Sequence, residues 1–196
     1  MPNPRIVILA GPNGAGKSTV AKYLLTEKYL IDEFVNADAI ATGLSAFAPE
    51  NVAFEAGRIM LRRIDTLLKD KRSFAFETTL ASKTFTRLIG RAQSAGYQVT
   101  LIYVALPSAR LAKRRVAHRF KEGGHTIPEN VIERRFYRSL DNLMHRYRTV
   151  VDEWFVYDNS ELKTPTLVAS GRGASEKIIE EQKWQRLLKL AKTPEK

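Results

Sequence analysis

Apolar residues follow two rhythms along the chain. Continuous runs at RIVILA (5–10), RSFAFET (72–78) and YQVTLIYVAL (97–106) have the length and β-former content of strands buried on both faces. DEFVNAD (32–38), EWFVYDN (153–159) and PTLVASG (165–171) predict further strands, the first of them weaker. Between these runs the period lengthens to that of a helix, predicting helices over Lys17–Lys28, Pro49–Asp70, Lys83–Ala95, Ser108–Phe120, Pro128–Val150 and Ser175–Ala191. In the second of these the apolar residues are Phe54, Ile59, Leu61, Ile64, Leu67 and Leu68. In the fifth, Ile132, Phe136, Leu140, Leu143 and Tyr147 share one face. Strands alternating with helices predict an α/β fold, a mostly parallel sheet covered on both faces. No repeat, low-complexity tract or linker interrupts the pattern, so one domain is expected over residues 1–196.

The first strand runs into AGPNGAGKST, which changes the picture from architecture to chemistry. Gly11, Pro12, Asn13, Gly14, Ala15, Gly16, Lys17, Ser18 and Thr19 fit the Walker A pattern, set between a strand and a helix as its mechanism requires. Glycines let the backbone curl so that successive N–H groups point at phosphate oxygens, and the helix adds its positive amino end. Lys17 is expected to span the β- and γ-phosphates of ATP, and the Ser18 hydroxyl to ligate Mg²⁺. The chain has neither a Leu-Ser-Gly-Gly-Gln signature nor an Asn-Lys-x-Asp guanine motif. That disfavours a transporter-type ATPase and a GTPase, leaving the small phosphotransferase kinases, whose sheet order is 2-3-1-4-5.

Two further strand ends carry candidate chemistry. Asp38 follows the second strand, on the edge where a parallel sheet binds its ligand. It is either the base that takes a proton from an attacking hydroxyl or simply a helix N-cap. Glu77, Thr78 and Thr79 reach the same edge, as acceptor contacts or as a turn cluster, with Glu77 alternatively holding magnesium through water.

Composition narrows the partners. The balance, 44% hydrophobic and 27% charged, is that of a globular protein, and no apolar run is long enough to span a bilayer. The N-terminal stretch lacks the marks of a signal peptide. The absence of cysteine rules out disulfides and thiolate metal sites, and a cytoplasmic location is expected. The net charge of +11 is concentrated locally. From Arg110 to Arg148, eleven Lys and Arg stand against Glu122, Glu129, Glu133 and Asp141, so +7 of the excess lies there. Arg110, Lys113, Arg114, Arg115 and Arg119 precede a glycine-containing EGGH turn, and Pro128 suits the first turn of the next helix. Two Arg-bearing helices joined in this way predict a lid, over about 108–150, that closes on ATP and brings guanidinium groups to the transferring phosphoryl. Arg135 lies nearer the apolar face and is the better candidate to reach a cleft. Arg134 lies nearly opposite that face, towards solvent.

AGPNGAGKST, NADAIA, FETTL and RVAHRFKEGGHTIPENVIERRFYRSLDNL together resemble the zeta toxin family of P-loop kinases, in particular its chromosomal branch. The resemblance spans roughly Arg5 to Ser160, and its acid, FETTL and GGHTIPE elements are more specific than the Walker A loop. It implies that Lys17 and Ser18 handle ATP and magnesium and that Asp38 is the base on the acceptor hydroxyl. It also implies that Glu77 and Thr79 contact the acceptor, while Arg119 with Arg134 or Arg135 stabilises the γ-phosphoryl. The acceptor so implied is UDP-N-acetylglucosamine, phosphorylated on the sugar. EGGHTIPE departs from the best-known members, and His125 receives no fixed role. With no antitoxin segment at either end of the chain, an inhibitor is expected to be a separate protein.

Two other readings compete. A nucleic-acid end kinase would need aromatic stacking platforms along a basic track, whereas phosphates already account for the lid charges. A nucleotide-dependent switch without phosphotransfer would not need Asp38. The final QKWQRLLKLAKTPEK is read as a basic amphipathic helix that packs on the core rather than on a membrane surface.

Overall fold

The computed structural model describes residues 3–25, 29–121, 127–161 and 164–192. One seven-stranded sheet organises them, in the order β2-β3-β1-β4-β5-β6-β7. Its strands are β1 (Arg5–Ala10), β2 (Phe34–Val35), β3 (Phe74–Thr78), β4 (Gln98–Ala105), β5 (Glu153–Asp158), β6 (Thr166–Arg172) and β7 (Ser175–Ile178). The first five are parallel in the expected 2-3-1-4-5 order, and β6 and β7 extend the sheet antiparallel. β1 and β4 sit centrally, and Ile6 to Ala10 and Val99 to Ala105 are buried, as unbroken apolar runs demand.

The helices are α1 (Lys17–Tyr23), α2 (Ala37–Leu44), α3 (Ala53–Lys69), α4 (Phe85–Ser94), α5 (Ala109–Lys121), α6 (Glu129–Asn142), α7 (Arg148–Val150) and α8 (Glu181–Ala191). Several expectations are corrected. The long helix over Pro49–Asp70 begins as a 3₁₀ turn at Pro49–Val52, and α3 buries Ala56, Met60, Ile64 and Leu67 while Phe54 is exposed. Pro128–Val150 is not one continuous α-helix, because a π-turn at Leu143–Tyr147 separates α6 from α7. The Ser175–Ala191 helix is shorter than expected, since Ser175–Ile178 pairs as β7 with Arg172 beside Ser175. A two-residue turn drives that pairing, and Gly173 takes the positive φ of 55° that such a hairpin requires. α8 does pack on the core, through Trp184, Leu187 and Ala191.

Candidate active site

The phosphate loop is built from left-handed glycines between β1 and α1. Gly11, Gly14 and Gly16 have φ of 144°, 76° and 82°, and a Cβ on Gly11 would lie 2.3 Å from the Val104 carbonyl oxygen. Asn159, which follows β5, pins the loop from the other side by donating its Nδ2 hydrogen to the Ala15 carbonyl at 2.8 Å. Lys17 opens α1 almost fully buried, donating to the Pro12 carbonyl at 3.2 Å and lying 3.4 Å from Glu77 Oε1. Burial pushes its ammonium below the ordinary lysine range, while Glu77 and Asp38 oppose that shift and Arg119 adds to it.

Strand register explains why Glu77 is there. β3 runs beside β1 with Glu77 opposite Leu9 and Thr78 opposite Ala10, so the carboxylate emerges at the start of the loop. Ser18 Oγ donates to Glu77 Oε2 at 2.8 Å and Asn36 Nδ2 donates to the same oxygen at 2.9 Å. Asn36, not Asp38, caps α2: its Oδ1 accepts from Asp38 N at 2.8 Å and Ala39 N at 3.2 Å. The N-cap alternative for Asp38 is therefore overturned, and its exposed carboxylate sits in the first turn of α2, within electrostatic reach of Lys17. Thr78 turns inward on its own segment, its hydroxyl accepting from Leu80 N at 3.0 Å, and Thr79 follows half-buried.

A cavity of about 700 Å³ opens over the loop. Gly14, Gly16, Lys17 and Ser18 form its floor, Glu77 one side, and Arg114, His118 and Arg119 of α5 another. Arg115 also lines it, but as a clamp, because its guanidinium donates to the Asn159 and Ser160 carbonyls, each at 2.7 Å. Lys113 joins α5 to α6 through Glu133 at 2.6 Å and Glu129 at 3.6 Å. Asp38, Arg134 and Arg135 do not line this cavity, and Arg134 is exposed and Arg135 half-buried, as their helical phases predict. The structure thus brings together Lys17, Ser18, Glu77 and Arg119, and leaves the two α6 arginines apart from them. His125 lies outside the described residues.

The donor set fits the expected ion. Ser18 Oγ and Glu77 Oε2 are hard oxygens 2.8 Å apart, and magnesium takes one or two such protein ligands and completes its shell with phosphate and water. Among the described residues, no cluster of three His, Cys, Asp or Glu could hold a metal by itself. Asn36, Asn159 and Ser160 escaped the sequence reading, and Arg115, expected there as one of the lid cations, is instead held by the Asn159 and Ser160 carbonyls. Asn36 stands in the NAD stretch and Asn159 at the end of an apolar strand, so the strand-end logic that singled out Asp38 would have found both.

The Zeta toxin family model matches residues 1–164. An uncharacterized protein of Haemophilus influenzae is 25% identical over 132 residues, which are 67% of this chain and 92% of that protein. A chain of the AvrRxo1-ORF1:AvrRxo1-ORF2 complex crystallised with sulphate ions superposes with a TM-score of 0.76 at 18% identity, over 94% of this chain. This chain spans only 63% of that longer one. The PezAT chromosomal toxin-antitoxin system of Streptococcus pneumoniae superposes with a TM-score of 0.68 at 16% identity, covering 98% of this chain and 89% of that one. At these identities the structural likenesses speak to the fold.

Proposed function

The chain belongs to the zeta toxin family, and from that premise we propose that it is an ATP-dependent kinase whose acceptor is a hydroxyl of a nucleotide sugar such as UDP-N-acetylglucosamine. The observation that carries this reading is the network at the foot of the phosphate loop. A buried Lys17, the Ser18 hydroxyl and the Glu77 carboxylate converge there, next to a helix whose first turn presents Asp38. A nucleotide switch needs the first three groups and has no use for the fourth.

In this reading the loop amides and Lys17 hold the β- and γ-phosphates, and Arg119 and Arg114 neutralise charge on the transferring group. Magnesium, when bound at Ser18 and Glu77, supplies further charge neutralisation on the phosphates. Asp38 accepts the proton as the acceptor oxygen bonds to the γ-phosphorus and the bond to the β,γ-bridging oxygen breaks, releasing ADP. Thr79 and Glu77 are the proposed acceptor contacts, and Arg134 or Arg135 is the proposed further cation on the γ-phosphoryl. The local surplus of cations suits two polyphosphates held in one cleft. An antitoxin protein as a separate partner, and action in the cytoplasm, belong to the same proposal.

The test is phosphotransfer by purified protein from ATP with Mg²⁺ to UDP-N-acetylglucosamine, read by mass spectrometry as a product one phosphate heavier. Asp38→Asn should keep ATP binding and lose turnover by about 10²–10⁴-fold, the usual worth of a general base. Asp38→Asn turning over at the wild-type rate would remove the base from the mechanism. Efficient phosphorylation of other hydroxyl compounds, with the sugar nucleotide untouched, would overturn the acceptor alone.

A further inference from the structure

The phosphate loop is tied to α5 at two places. At Gly14 the tie is steric: an added Cβ would lie 2.8 Å from the Ala112 carbonyl oxygen and 3.3 Å from Arg115 Cβ. At Ala15 it is a relay. Arg115 donates to the Asn159 and Ser160 carbonyls, each at 2.7 Å, and Asn159 Nδ2 donates to the Ala15 carbonyl at 2.8 Å. The turn that presents those two carbonyls is fixed separately. Asp158 accepts from Ser160 N at 3.1 Å and from Ser160 Oγ at 2.7 Å, and Lys183 of α8 lies 3.1 Å from it.

The relay bears on chemistry through peptide geometry. In a planar trans peptide the C=O and the following N–H point in opposite directions. Drawing the Ala15 carbonyl towards Asn159 therefore turns the Gly16 N–H to the other side, where Gly16 lines the cavity. Phosphate is held by N–H groups that converge, so reversing one peptide removes a donor and sets a carbonyl oxygen against the anion. Gly16 has a left-handed φ of 82° and no Cβ to restrict it, so its own residue type does little to prevent that reversal. Asn159 supplies the restraint. It is 5% exposed, is not among the residues lining the cavity, and sits so close behind Gly16 that a Cβ there would lie 2.6 Å from its Nδ2.

We infer that Asn159 and Arg115 are positioning residues for the nucleotide: Asn159 holds the Ala15–Gly16 peptide in its anion-binding orientation, and Arg115 holds Asn159. The arrangement makes the shape of the loop depend on where α5 lies. That helix also carries Arg114, His118 and Arg119 into the cavity, so one element sets both the cations and the loop amides. The inference rests on the reading that this loop binds ATP and needs nothing of the acceptor. Arg115 lines the cavity as well, so direct contact with the nucleotide is the rival role. Charge separates the two. A fork onto two carbonyls needs the planar guanidinium, whereas a lysine ammonium serves as a charge beside phosphate.

The experiment measures binding of MgATP, of inorganic tripolyphosphate with Mg²⁺ and of adenosine to the full chain by calorimetry. Asn159→Leu keeps the branched shape and removes the donor without adding charge; Arg115→Lys keeps the charge and removes the fork. Each should weaken ATP and tripolyphosphate in parallel, by tenfold or more, and leave adenosine binding as in the wild type. The double variant should bind no more weakly than Asn159→Leu alone, because the two residues act in one relay. If Asn159→Leu does not fold, Arg115→Lys carries the test alone. Wild-type tripolyphosphate affinity in Arg115→Lys, or losses that multiply in the double variant, would overturn the relay. Equal losses for all three ligands would reduce both residues to general support of the fold and overturn it too. A wild-type protein that binds neither ATP nor tripolyphosphate would sink the ATP reading and the inference with it, whereas the variant outcomes sink the inference alone.

Discussion

Asn36 shows how much a single side chain can organise. Its carbonyl oxygen caps the helix that carries Asp38, and its amide donates to the carboxylate that holds Lys17 and Ser18. The acceptor side and the nucleotide side therefore meet in one amide, and the two halves of its function separate by substitution. Asn36→Asp keeps the cap, since aspartate accepts from N–H groups equally well, but cannot donate and sets a carboxylate against Glu77. Loss of a hydrogen bond to a charged group costs about 1.5–3 kcal/mol of stability, so the melting temperature should fall although the helix stays capped, and turnover should fall with it as Glu77 loses its support. Two carboxylates sharing a site also disfavour full ionisation, so the acid limb of the pH–rate profile should move to higher pH. A variant with the wild-type limb would reduce Asn36 to a helix cap.

At the scale of elements, legibility followed how local the determining physics is. The strand–loop–helix at Gly11–Thr19 and the five parallel strands could be read because burial on both faces leaves continuous apolar runs. β7 could not, because its residues, Ser175–Ile178, have no such run and owe their conformation to a turn and to pairing with β6. Glu77 was found by its strand end, but its contacts with Ser18 and Asn36 depend on the register of β3 against β1 and β2, which periodicity does not carry. Gly171 was equally silent. It is glycine because the Trp154 indole packs over it, and an added Cβ would lie 2.5 Å from that ring. Trp154 in turn stacks on Trp184 at 5.8 Å, with the Arg148 guanidinium over both rings, which fastens α8 to the sheet. Gly171→Ala should therefore destabilise the protein by about 1–3 kcal/mol through overpacking. Denaturant unfolding would measure this, and an unchanged midpoint would mean that the Trp154 ring shifts without cost.

Over the whole molecule, groups from three separate elements set the charge state of one lysine. Burial lowers the pKa of Lys17; Glu77 from β3 and Asp38 from α2 raise it, and Arg119 from α5 lowers it. ATP brings an anion to the ammonium and must raise that pKa again, so binding favours the protonated form. Linkage then fixes the sign. Below the pKa of the ligand-free protein, lysine is charged in both states and affinity does not depend on its titration. As pH rises through that pKa, the free protein loses a proton that the complex retains, and affinity falls until the complex itself deprotonates. Nucleotide binding in alkaline buffer should therefore take up protons, measurable by calorimetry in buffers of different ionisation enthalpy. The rise in melting temperature given by a fixed ATP concentration should shrink over the same range. Arg119→Ala removes a cation that holds the lysine down, so the fall should begin at higher pH. Lys17→Arg should remove the proton uptake altogether, because a guanidinium stays charged throughout, even though its binding is weaker. Uptake persisting undiminished in Lys17→Arg would show that the linked proton sits on another group.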